Sequence, residues 1–395
     1  MKKKRLLFVI DSLVAAGAER SLVTLLSMLD YEKYEVDLQL FGYGGEFEQF
    51  LPKEVNLLPP LRYNEFLCKS LADKIGSFKF RFFLTWLVSS IRLRIGRHNN
   101  REIARILWSS CRKCYVVNSK NYDVAIAYAQ GIPTFYVADV ILSDKKLAWV
   151  NVDYNLSGFD RKFQRPRYNK IDTIVAVSES SMNSFIEGMP YFSNKIRIVH
   201  DIISCEFITK MSQISPVIKY KEDVHNIITV ARLIKWQKGY DIALEVCRIL
   251  RDRGISFNWY IIGKGPYRED MEKYISKYRL DDKITFLNTT PNPYPYIKNS
   301  TIYVQTSRHE GYGLSIAEAR ILNIPVVTTA FNGVYNQMIP EKNGIVVPID
   351  AKAVADAIED LLNHPEKRSK ISEFQRNEKK GNSEELQKFY SLIND

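Results

Sequence analysis

Two doubly wound α/β domains in tandem are what this 395-residue sequence predicts, and three observations carry the expectation. Short β-branched runs alternate with helical patterns, the signature of parallel sheets covered on both faces. The rhythm stops at 208–225, a polar stretch without periodicity, and then restarts. In the second half an apolar strand at 301–305 runs through two glycines into a helix start. That arrangement turns backbone N–H groups and a positive helix end toward one spot, which is how proteins hold phosphate.

In order, the first half reads as a strand at 4–11, a turn, a helix at about 18–29 and a second strand at 34–41. A helical excursion occupies roughly 61–118, and strands recur at 123–128, 147–153, 173–178 and 197–200. Strands of the second half fall at 226–230, 258–262, 284–287, 302–306, 325–328 and 345–347. Helices lie between them, near 239–252, 266–278, 315–322 and 351–363, and the tail from about 366 is charged and helical. The expected division is therefore 1–207, including a basic excursion at 61–120, then 226–365, then the tail 366–395. A ligand cleft between two such domains is expected.

The length suffices for two real cores, and 46% hydrophobic with 26% charged residues is ordinary for a globular protein. The basic start is followed by only five apolar residues, Leu6 to Ile10, and then Asp11, so it reads as a strand and not as a secretory signal. No window approaches the ~20 apolar residues of a membrane span. Five cysteines, an odd number, suggest reduced thiols in the cytoplasm. The single Cys111-x-x-Cys114 pair has no partner pair and reads as incidental, and the five scattered histidines form no metal constellation.

The net charge of +11 is concentrated, since residues 61–120 hold 13 Lys/Arg against three acids. Phe78, Phe80, Phe82, Phe83 and Trp86 are interleaved with them. Such a stretch suits an anionic membrane surface. Nucleic acid is a second reading, and a solvated helical face over ordinary core aromatics is a third. The membrane surface is preferred, because no nucleic-acid motif appears.

The segment Ser307-Arg308-His309-Glu310-Gly311-Tyr312-Gly313-Leu314-Ser315-Ile316-Ala317-Glu318 places two carboxylates eight positions apart around the glycines. It resembles the Glu-x7-Glu signature of retaining glycosyltransferases of the GT-B fold, the large group that includes bacterial capsule and lipopolysaccharide transferases. The resemblance implies that Glu310 faces the donor sugar. It puts the backbone of Gly311, Tyr312, Gly313, Leu314 and Ser315 on the diphosphate and Glu318 on the ribose. Each glutamate also has a plainer reading: Ser315 and Glu318 match a capping box, and Glu310 would serve as a solvated loop charge.

Further positions follow from the same resemblance. Arg232 stands at the end of the first strand of the second domain, with Lys238 and Gly239 before the next helix. They are implied to neutralise the leaving diphosphate, an electrostatic task. Gly263 and Gly265 form a Gly-x-Gly-Pro turn implied to line the donor side, and Asn288 ends the strand implied to approach the base. In the first domain Gly17, in Ala15-Ala16-Gly17-Ala18-Glu19-Arg20, is implied to bring its N–H near sugar or phosphate. Asn151 stands where many relatives carry a histidine, and asparagine cannot act as a general base. In a front-face retaining reaction the leaving phosphate takes the acceptor proton, and Asp153 is the next candidate for acceptor contact.

No Asp-x-Asp occurs, so no metal and no other cofactor is expected. The expected protein is a retaining, metal-independent hexosyltransferase of bacterial surface glycan synthesis. Its expected partners are a nucleotide-sugar donor, with UDP preferred, a lipid-linked or polysaccharide acceptor, and an anionic membrane at the inner face, with no nucleic acid. A non-catalytic nucleotide-sugar-binding or membrane adaptor that keeps the fold is the alternative. Turnover separates the two.

Overall fold

A parallel strand covered by helices on both faces has no solvent side, so its residues are buried almost without alternation. Leu6 to Ile10 in the first strand are 1% exposed or less, and all six residues of Phe257–Ile262 are buried. The computed structural model describes residues 2–14, 17–77, 79–95, 99–116, 120–151, 158–216, 219–310, 313–382 and 384–394. The chain forms two units, Met1–Ile202 with Ser383–Asp395, and Ile203–Asn382.

The first unit opens with β1 (Lys4–Ile10), α1 (Gly17–Ser27), β2 (Tyr34–Leu40) and β3 (Val55–Leu57). Four helices follow: α2 (Arg62–Leu67), α3 (Leu71–Gly76), α4 (Phe80–Arg94) and α5 (Asn100–Cys111). The chain then alternates through β4 (Tyr122–Ala127), α6 (Ile132–Asp139), β5 (Ser143–Val150), α7 (Gly158–Tyr168), β6 (Thr173–Ala176), α8 (Glu179–Gly188) and β7 (Ile196–Ile198). The seven strands are parallel in the order β3-β2-β1-β4-β5-β6-β7, with Leu6 opposite Val36 on one side and Val124 on the other.

The second unit begins with α9 (Cys205–Met211), β8 (His225–Val230), α10 (Lys235–Lys238) and α11 (Tyr240–Asp252). It continues with β9 (Phe257–Ile262), α12 (Arg268–Lys277), β10 (Ile284–Leu287), α13 (Tyr294–Lys298), β11 (Ile302–Gln305) and α14 (Leu314–Ile321). It closes with β12 (Val326–Thr329), β13 (Ile345–Val347), α15 (Ala351–Asn363) and α16 (Pro365–Asn377). Its six parallel strands run β10-β9-β8-β11-β12-β13. Strand order therefore reverses between β1 and β4 in one unit and between β8 and β11 in the other. Those reversals are where open α/β sheets leave a crevice at their carboxyl ends.

Several boundaries differ from the sequence expectation. The polar stretch at 208–225 is not all linker, because α9 covers 205–211 and Phe207 packs edge-on to Tyr294, 6.5 Å between centroids. Nor is 366–395 one tail. Gln375, fully buried in α16, donates to the Ile324 and Asn343 carbonyls of the second unit. Only the last helix, α17 (Glu384–Asn394), joins the first unit. Phe389 there is fully buried, 6.1 Å from both the Phe8 and Trp149 rings, and Tyr390 stacks on Tyr34 at 5.6 Å. Phe389→Ala is expected to lower the unfolding free energy of the first unit by about 3–5 kcal/mol. Urea unfolding measures this, and a loss below about 1 kcal/mol would mean that α17 is not part of that core.

The helical excursion has two different faces. Phe82, Phe83 and Trp86 pack inward against a core holding Tyr63, Phe66 and Trp108, whereas Phe80 is 75% exposed. Phe78 lies outside the described residues. Cys111 and Cys114 are buried in the same core, and burial pushes the Cys111 thiol up to about 12, so Cys111 has no reactive thiolate character.

Candidate functional site

At the reversal in the second unit, the chain leaving β8 and the chain leaving β11 meet. Arg232 is exposed two residues after β8 and makes no ion pair among the described residues. The short helix α10 then carries Lys238 toward β11. Gly239 ends it in the left-handed region at φ 63°, where a Cβ would stand 1.9 Å from the Thr306 carbonyl oxygen. Only glycine fits this conformation and approach without strain. The Thr306 hydroxyl donates to the Gly239 carbonyl at 2.9 Å, fixing the crossing.

This crossing brings Lys238 to Glu310. Lys238 Nζ donates to Glu310 Oε2 at 2.6 Å, with the two side chains 13% and 9% exposed. Glu310 Oε1 accepts from Gln305 Nε2 at 3.0 Å and from the Ser307 hydroxyl at 2.5 Å. Gln305 is itself held, since the buried Tyr303 hydroxyl donates to its Oε1 at 2.7 Å. Burial pushes the Tyr303 hydroxyl well above the usual phenol range, so it remains a donor. Glu310 is thus a clamped carboxylate and not a solvated loop charge. The resemblance implies separate tasks for Lys238 on phosphate and Glu310 on sugar, and the structure pairs the two side chains.

Helix α14 starts at Leu314 behind Gly313, which has φ 80°. Ser315 is therefore the second helical residue and not the cap, and no capping box with Glu318 forms. The first-turn N–H groups of Leu314 and Ser315 precede the first acceptor of the helical ladder and point out of its N-terminus. Glu318 lies one turn in, 4% exposed, and the Tyr294 hydroxyl donates to its Oε1 at 3.3 Å. Gly311 and Tyr312 lie outside the described residues.

Gly263 and Gly265 follow β9 and press on backbone. Their Cβ positions would lie 2.0 Å from the Ala231 carbonyl oxygen and 2.4 Å from that of Leu233. Leu233 N–H donates to the Lys264 carbonyl at 3.0 Å. These glycines buttress the loop that presents Arg232. Asn288 is exposed just beyond β10.

In the first unit the reversal lies between β1 and β4. Gly17 is exposed at the start of α1, and a Cβ there would meet nothing within 4 Å, so no close approach requires this glycine. Ser21 of α1 donates to Asp201 Oδ1 at 2.6 Å and lies 3.0 Å from the Tyr128 hydroxyl beyond β4. Burial raises the Asp201 carboxyl above the usual range, while the Ser21 hydrogen bond pulls it back. Asn151, one residue past β5, donates its side-chain amide to the Tyr128 carbonyl at 2.7 Å. Its backbone N–H donates to Gln130 Oε1 at 3.1 Å. Asn151 thus ties the ends of β4 and β5 together, and its Oδ1 is buried without a hydrogen-bond partner among the described residues. Asp153 lies outside the described residues.

Gln305, Ser307, Tyr303 and Tyr294 were not among the expected site residues. A signal for the first three existed: Tyr303, Gln305 and Ser307 fall at alternate positions through β11 and the two residues past it, in the run-up to Glu310. Among the described residues no group of three His, Cys, Asp or Glu side chains converges on one point.

Two parallel-sheet units of this order define the GT-B class, and the fold of the chain is GT-B. HepE of Anabaena, solved with UDP and glucose, superposes with a TM-score of 0.63 at 16% identity, covering 98% of each chain. A mutant of TarM from S. aureus, solved with fondaparinux, alpha-GlcNAc-glycerol and UDP, gives 0.66 at 14% identity over 99% of this chain and all of that one. At these identities the likeness is one of fold.

Residues 211–378 match the family described as Glycosyl transferases group 1. The alpha-D-kanosaminyltransferase of Streptomyces kanamyceticus is 32% identical over 158 residues, 39% of this chain and 41% of that protein. The capsular polysaccharide biosynthesis glycosyltransferase CapM of Staphylococcus aureus is 25% identical over 209 residues, 50% of this chain and 54% of that protein. WcaL of Escherichia coli, named for colanic acid biosynthesis, is 30% identical over 33% of this chain and 34% of that one. The chain thus spans from about a third to about half the length of these curated relatives. It resembles the transferases of bacterial surface glycans.

Proposed function

We propose that this protein is a retaining glycosyltransferase that moves a hexose from a nucleoside-diphosphate sugar, UDP preferred, to a lipid-linked or polysaccharide acceptor of a bacterial surface glycan. The observation that carries the reading is the convergence at the β8/β11 reversal of an exposed Arg232, the Lys238–Glu310 pair and the N-terminus of α14. Positive charge and free N–H groups there suit a diphosphate, and carboxylates beside them suit hydroxyls.

In the reaction the C1–O bond to the diphosphate breaks and the acceptor oxygen bonds to C1 on the same face. The acceptor proton passes to the leaving phosphate oxygen. Arg232, Lys238 and the α14 amides stabilise the negative charge that develops, a role that elsewhere falls to a divalent ion. Glu310 orients the sugar from its clamp, and Glu318 holds the ribose. UDP is preferred because HepE and TarM were solved with it. The basic excursion of the first unit supports an anionic membrane surface on the cytoplasmic side as the place where the enzyme works. Among the described residues no helix is long and apolar enough to cross a membrane.

Calorimetric titration with UDP, GDP and ADP in the presence of chelator tests this. UDP is expected to bind without metal, and Arg232→Ala to weaken it by about tenfold or more, as for a lost hydrogen bond to a charged group. Glu318→Ala is expected to weaken it similarly. A folded protein that binds no nucleotide, or binds only with a divalent ion, overturns the donor site.

A further inference from the structure

Helix α4 is apolar on both sides, and only one side is used by the fold. Its inner side carries Phe82, Phe83 and Trp86 against the core. On its outer side Phe80, Leu84, Leu87 and Ile91 are 75%, 48%, 39% and 48% exposed. Their spacing of four, three and four residues puts them in one stripe along the helix. Ile95, at the C-cap, continues it at 70% exposure. The preceding helix α3 adds exposed Leu71 and Ile75, and is tied to α4 by Lys74, 5.2 Å from the Trp86 ring. Scattered exposed apolar side chains need no explanation, but a contiguous stripe does.

Charge decides what covers it. Residues 69–95 hold six Lys/Arg and one acid, and α4 itself has no acid. Arg81 and Arg92 stand on one shoulder of the stripe, and Lys79 begins the other. A groove of 530 Å³ opens beside Phe80, lined by Arg62, Lys79 and Arg81 with Glu65 and Phe82. A second copy of this chain seated on the stripe would bring two such basic fields together. An anionic lipid surface would neutralise them while taking up the apolar ridge. At 15 residues α4 rises only ~22 Å, so it lies along a bilayer surface and does not cross it.

We propose that α4 is a shallow membrane-inserting helix. Phe80, Leu84, Leu87 and Ile91 enter the acyl boundary, and Lys79, Arg81, Arg92 and Arg94 meet anionic headgroups. This deepens the membrane-surface reading given above and rests on it. It also changes the source of the affinity: the aliphatic ridge inserts, while the core-facing aromatics do not take part.

Cosedimentation tests it, using vesicles of phosphatidylcholine alone or with about 30% phosphatidylglycerol, at low salt and at roughly 0.5 M salt where surface charge is screened. The full chain is expected to bind the anionic vesicles and to keep a measurable part of that binding at high salt. Leu84→Asp with Leu87→Asp is expected to weaken binding at least tenfold at low salt, with the unfolding midpoint unchanged because both side chains are exposed. In a separate Phe80→Trp variant, fluorescence is expected to shift to the blue and to be quenched by brominated lipid.

Unchanged binding in the double aspartate variant, or complete loss of wild-type binding at high salt, would show a purely electrostatic contact and overturn insertion. A dimer that the same substitutions dissociate, with no vesicle binding, would assign the stripe to a second copy. None of these readouts uses nucleotide, so failure of the donor site leaves this result intact, and the reverse also holds.

Discussion

Lys238→Ala is expected to lower glycosyl transfer at least 100-fold and to destabilise the second unit by about 2–4 kcal/mol. Two effects combine. On the proposed reaction the substitution removes a cation from the place where the diphosphate leaves, and it leaves the nearly buried Glu310 carboxylate without its ion partner. Gln305 and Ser307 still donate to Glu310, which keeps the stability cost below that of a fully orphaned charge. The pair Lys238→Ala and Glu310→Gln separates the effects. Removing the charge from position 310 is expected to restore much of the lost stability and none of the activity. Urea midpoints and donor turnover read the two quantities independently. A Lys238→Ala protein as stable and as active as the parent would show that the pair is incidental.

Gly239→Ala is expected to cost about 3 kcal/mol or more. A left-handed conformation is penalised by about 1 kcal/mol for a residue with a Cβ, and forcing a methyl against backbone adds about 1–3 kcal/mol of overpacking. The methyl would meet the Thr306 carbonyl oxygen at 1.9 Å, so β11 and α11 must part. Lys238 then moves away from Glu310, and nucleotide affinity is expected to fall with stability. Gly17→Ala is the contrasting control. Its Cβ enters open space, and the change is expected to stay within about 0.5 kcal/mol. Equal effects at the two positions would refute the steric argument.

These glycines show where the sequence was legible and where it was not. The strands were readable because burial on both faces demands apolar runs, and the helix after Gly313 was readable from the turn before it. The conformational demand on each glycine was not. Gly17 and Gly239 both stand at helix starts in suggestive motifs, yet only the latter faces a backbone 67 positions further along the chain. Pairing across such distances depends on strand order, which local pattern does not encode. The Lys238–Glu310 contact was missed for the same reason. The two faces of α4 were hidden differently: Phe80 and Phe82 look alike in sequence, and only packing tells which one turns inward. The boundary near 382 was obscured because α16 and α17 are both charge-bearing helices, and nothing local in either tells which unit it packs on.

The first unit is built from two separated segments of the chain, with the second unit spliced between them. During synthesis the ribosome delivers all seven strands of the first sheet, then the whole of the second unit, and only last the helix that covers Phe8 and Trp149. The second unit is contiguous and can reach its native state while still tethered. The first waits, with Phe8 and Trp149 uncovered, until α17 has emerged.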